Sequence, residues 1–94
     1  MGNLRINKVA GVGISVRFPA RTWEKAHAII ESLREEPPSG YKLRGSQVTP
    51  KCKSGKRCNL KLTFEYVDDR EPVFTIVEAQ AWFAPFAKEA ASGG

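Results

Sequence analysis

Acidic residues are missing from the whole stretch between Tyr41 and Leu62, although the chain carries ten of them elsewhere. The same stretch holds seven cations: Lys42, Arg44, Lys51, Lys53, Lys56, Arg57 and Lys61. Other shortages narrow the field. There is one histidine and there are two cysteines, whereas a zinc site takes about four ligands, usually with CxxC-type pairs. Cys52, Cys58 and His27 do not supply that set, so neither metal nor cofactor is expected. His27 stands four residues before Glu31 in a helical pattern and reads as a surface pair. No serine, cysteine or acid is tied to it by spacing, so no nucleophile, base and orienting group can be assembled, and an enzyme is not expected.

Several familiar signatures are incomplete. Gly11-Val12-Gly13 lacks the third glycine of a dinucleotide fingerprint, and its strand follows rather than precedes it. Ser54-Gly55-Lys56-Arg57 lacks the upstream glycine spacing and terminal Ser or Thr of a phosphate loop. Met1-Gly2 is followed by Ile6 where myristoylation wants Ser or Thr. No apolar run approaches the roughly 20 residues of a membrane span, and no charged-then-apolar leader opens the chain. The expectation is a cytoplasmic protein without membrane contact.

What is present suits one domain of 94 residues. A hydrophobic share of 41% is enough for a modest core and argues against disorder. Residues 12–18 alternate, with Val12, Ile14, Val16 and Phe18 on one side, as in a half-buried strand. Thr22 is placed to cap a helix over 22–35, whose stripe is Trp23, Ala26, Ile30 and Leu33. Pro37-Pro38-Ser39-Gly40 stops it. A second strand begins at Tyr41, with Gly45 marking a bulge. Leu60, Leu62, Phe64 and Tyr66 define a third strand, and Val67 to Pro72 a turn.

The segment after Val73 has two readings. As a strand over 73–77 continuing to Trp82, it pairs with 58–67 and makes Pro85 the first residue of a short helix. As a helix from Glu78, it carries Pro85 inside. The first reading is preferred. The expected fold is therefore α+β and two-layered, in the order β-α-β-β-β-α, an antiparallel meander with both helices on one face. Residues 1–11 form an N-terminal extension or short strand, 12–91 the domain, and 92–94 a disordered tail. The uncovered face is expected to carry Lys42, Arg44, Lys61 and Thr63, with Arg17 a further candidate.

A net charge of +5 concentrated in this way is the footprint of a protein that meets a polyanion. The expected function is a small nucleic-acid-binding module. Lys42, Arg44, Lys51, Lys53, Lys56, Arg57 and Lys61 would contact phosphates from the loop 50–58 and its flanking strands. Tyr41 is the only aromatic of the basic stretch and falls in the core phase, so base stacking is not expected. The alternative is a non-enzymatic interaction or inhibitor module, such as a mobile-element accessory protein, docking on an acidic partner. It would use Trp82, Phe83 and Phe86 with Asp68, Asp69 and Glu71. An open strand edge at 12–18 or 41–49 would admit a homodimer. Cys52 and Cys58 read either as reduced thiols whose pKa the loop cations lower, or as a disulfide closing the loop. The acids of 65–78 are expected at the opposite end of the hairpin from the cations.

Overall fold

A computed structural model of the chain describes residues 4–9, 12–49, 57–67 and 75–92. The elements run β1 (Arg5–Val9), β2 (Gly13–Ala20), α1 (Trp23–Glu35), β3 (Tyr41–Thr49), β4 (Cys58–Tyr66) and α2 (Ile76–Ala91). The four strands form one antiparallel sheet in the order β1-β2-β4-β3. Both helices cover the same face, so the molecule is a two-layer α+β fold.

Alternation selects that face. Ile14, Val16, Phe18 and Ala20 of β2 are buried, as are Leu60, Leu62 and Phe64 of β4, and they meet Ala26, Ile29, Ile30 and Leu33 of α1. From α2 come Ala79, Phe83 and Ala90, also buried. Phe64 and Phe83 lie with centroids 5.3 Å apart, an arrangement that contributes about 0.5–1.5 kcal/mol beyond the buried area. The Arg21 amide donates to the Ala90 carbonyl at 2.7 Å and ties the end of β2 to α2. Among the described residues, no helix is long and apolar enough to cross a membrane.

Helix α1 begins as its sequence indicates. Thr22 is the cap, its hydroxyl accepting from the Lys25 amide at 3.2 Å. Glu31 pairs with Arg34 at 2.6 Å, while His27 lies against Trp23 with ring centroids 3.9 Å apart. The expected His27–Glu31 pairing is therefore replaced by an aromatic contact one turn in the other direction. Gly40, at φ 85°, turns the chain into β3, a conformation that a side chain with a Cβ disfavours. The bulge falls between Leu43 and Gly45.

Two expectations are corrected. The strand over 73–77 running on to Trp82 does not form, because α2 already begins at Ile76; Val73 and Phe74 lie outside the described residues. A capping box decides this start. The Thr75 hydroxyl accepts from the Glu78 amide at 3.1 Å, and the Glu78 carboxylate accepts from the Thr75 amide at 3.0 Å. Five alanines among the 12 residues from Ala79 to Ala90 then favour helix. Pro85 is inside α2 rather than at its start, but it stands exposed, and so does Ala81, four residues earlier. On that side water can meet the carbonyl that proline leaves without an amide. The second correction concerns the fourth strand. It is β1, from the segment expected as an extension or short strand, and it pairs with β2. The described strands therefore run β-β-α-β-β-α, and β4 is central, between β2 and β3, rather than part of a consecutive meander.

Candidate nucleic-acid interface

The uncovered face of the sheet can be followed in transverse rows, because paired residues share a face. In one row Arg5 stands opposite Arg17, Arg17 opposite Lys61, and Lys61 opposite Gln47. Three adjacent strands thus place a cation at the same level, with neighbouring backbones about 4.8 Å apart. Like charges directly opposite one another destabilise a sheet. No carboxylate relieves this row: Arg5, Arg17 and Lys61 make no salt bridge among the described residues. Arg17 is exposed and Lys61 half-buried.

The next row toward the far end is small and polar, Asn7–Ser15–Thr63–Gly45. Beyond it the charge is compensated. Glu65 stands opposite Lys42; its carboxylate lies 3.1 Å from the Lys42 ammonium and 3.8 Å from the Arg44 guanidinium. The expected separation of cations and acids to opposite ends of the hairpin fails at this corner, because Glu65 pairs across the ladder with the first cations of the basic stretch. In the other direction from the cation row lie Pro19, Asn59 and Thr49. Here the surface dips into a shallow depression of about 640 Å³ bordered by Arg5, Arg17, Lys61 and Arg57, with Gln47, Thr49 and Asn59 between them. Arg57 also borders a smaller depression beside Arg21 and Ala91.

The candidate phosphate contacts therefore divide. Lys42 and Arg44 project from the uncovered face but sit on Glu65. Lys61 and Arg57 belong to the uncompensated region. Lys51, Lys53 and Lys56 lie outside the described residues. Arg17, a further candidate for this face in the sequence, takes its place between Lys61 and Arg5, and the structure adds Arg5. Arg17 is signalled by the alternation of β2. Arg5 has a weaker signal, since Arg5-Ile6-Asn7 offers only one residue, Ile6, whose burial marks the phase.

The other candidate residues are placed elsewhere. Phe83 is fully buried. Trp82 and Phe86 are half-buried, stack on each other with centroids 5.3 Å apart, and pack against the core. Asp68, Asp69 and Glu71 lie outside the described residues. Cys58 is a free thiol buried on the helix side of β4. Burial pushes its pKa up from the ordinary value, and the Glu24 carboxylate adds to the rise. The expectation of a thiol made more acidic by the loop cations is thus corrected for Cys58, which faces the core; Cys52 lies outside the described residues. Among the described residues no group of three or more metal-ligating side chains converges.

No protein-family model matches the chain, and no curated protein or solved structure is significantly similar to it.

Proposed function

We propose that this chain is a non-enzymatic nucleic-acid-binding module that engages backbone phosphates through the uncovered face of its sheet. The observation that carries the reading is the row Arg5–Arg17–Lys61, three cations on adjacent strands with no acid to relieve them among the described residues. Such a row costs folding stability. A polyanion converts that repulsion into attraction and releases condensed counterions as it binds. Asn59, Gln47 and Thr49 beside the row provide uncharged donors suited to phosphate and sugar oxygens. The interaction-module alternative has less support, since Trp82, Phe83 and Phe86 pack on the core instead of forming an exposed anchor.

The test is fluorescence anisotropy of the full chain against labelled DNA and RNA, each single- and double-stranded, at several salt concentrations. Binding with a log–log salt slope of about −3 or steeper is expected if three or four phosphates are engaged. The double reversal Arg17→Glu with Lys61→Glu is expected to abolish it while circular dichroism and thermal unfolding stay native-like. Undiminished binding by a folded double variant would refute the proposal, as would the absence of binding to all four nucleic acids.

A further inference from the structure

We infer that the polyanion is a double helix, met from outside its grooves and bound without regard to base sequence; this rests on the reading of the uncovered face as a phosphate-binding surface. Three observations lead there. The first is where the aromatics go. Proteins that hold single strands stack the bases on exposed aromatic rings set among cations. All eight aromatics among the described residues stand on the helix side or on the helices. Phe18, Tyr41 and Phe64 are buried beneath the helices, Tyr66 lies against Tyr41 with centroids 5.5 Å apart, and the rest belong to α1 and α2. Among the described residues the cation row has no ring beside it on which a base could stack.

The second observation is breadth. Four paired strands span about 14 Å between the outermost backbones. The major groove of B-form DNA is about 12 Å wide and admits a helix or a two-stranded ribbon, and the minor groove is about half that. The face of this sheet is broader than either groove of undeformed B-form DNA, and the minor groove of an RNA duplex is wide and shallow. Laid on a duplex that it does not deform, the cation row meets the sugar–phosphate backbones before the base edges.

The third observation is the makeup of the face. The cations run across the strands as a transverse row, from Arg5 to Lys61 over about 10 Å. Asn7, Ser15 and Thr63 form a parallel row of short polar groups beside it. A double helix offers phosphates of two strands held at fixed separation, so a rigid row meets several of them without the ligand losing conformational freedom. A flexible single strand must be ordered to do the same and has no stacking to offset that cost.

The experiment compares, at one salt concentration, labelled duplexes of about 20 base pairs in DNA and RNA, two unrelated sequences of each, and the separated strands. In at least one of the two chemistries the duplex is expected to bind about tenfold or more tightly than its own strands. The two sequences of that chemistry are expected to agree within about threefold. Arg17→Gln is expected to weaken both sequences by the same factor. Strands that bind as tightly as the duplexes, or one sequence preferred by about tenfold or more, would overturn this inference and leave phosphate binding standing. Failure of every nucleic acid to bind would overturn both.

Discussion

The two ends of the uncovered sheet face are built from the same residue types and behave as opposites. At one end Lys42 and Arg44 converge on Glu65, so two cations and one acid leave a single net charge held in surface ion pairs. At the other, Arg5, Arg17 and Lys61 stand side by side across three strands without any such partner among the described residues. Exposed ion pairs contribute little to stability, about 0–1 kcal/mol, so the first end neither strongly stabilises the fold nor presents much free charge. The second end lowers stability in exchange for concentrated charge. A count of cations along the sequence weights the two ends equally. The ladder register shows that they are not equal, and that the uncompensated end includes Arg5, far away in sequence.

Four substitutions probe that contrast, beginning with the largest effect. Arg17→Glu puts a carboxylate between Arg5 and Lys61. Nucleic-acid binding is expected to fall by about 100-fold, roughly 2.7 kcal/mol, while thermal stability holds or rises because two like-charge neighbours become opposite-charge neighbours. A parallel loss of stability and binding would mean that Arg17 acts through the fold. Gly13→Ala breaks the compensated end instead. A Cβ there would collide with the Phe64 carbonyl oxygen of the paired strand, so the β2–β4 ladder must shift. The expected cost is about 2 kcal/mol in denaturant unfolding, with affinity retained wherever the protein is folded. Thr75→Ala removes the cap of α2, distant from both ends, and is expected to lower stability by about 1 kcal/mol without changing affinity.

The last substitution, Glu65→Gln, has the smallest effect and makes the two ends alike. It frees Lys42 and Arg44 and is expected to tighten binding about threefold and steepen the salt slope, since more phosphates can be neutralised. An unchanged affinity would restrict the site to the cation row. Acid pH reaches a different part of the molecule. The backbone amide of Thr75, and then its hydroxyl, hold the Glu78 carboxyl below its ordinary pKa. A lowered folded-state pKa stabilises above the unfolded value and is lost as pH falls through the folded one. Stability is therefore expected to decline below about pH 4.3, with a shallower acid limb in Glu78→Gln.

Much of this architecture is readable in the amino acids because local signals agree with tertiary ones. Thr22, the apolar stripe of α1 and the double proline define that helix independently. The alternation from Leu60 to Tyr66 specifies β4 and its buried face. The tail misleads because Pro85 is weighed as a stop signal, whereas Thr75 and Glu78 together form a start signal that the strand reading passes over. The candidate site is only half legible. Period two assigns Lys42, Arg44 and Lys61 to one face, but which of them meets an acid depends on the pairing of β3 with β4. That Arg5 joins them depends on β1 closing onto β2. Register is a property of pairs of strands, and single-strand patterns do not carry it.

The most direct measurement is the salt dependence of duplex binding for the unaltered chain beside Arg17→Gln. Removing one phosphate-neutralising cation from the row is expected to weaken binding and flatten the log–log slope by about 0.9. An Arg17→Gln protein that is folded and keeps both the affinity and the slope of the unaltered chain would contradict the assignment of the uncovered face as the phosphate-binding surface.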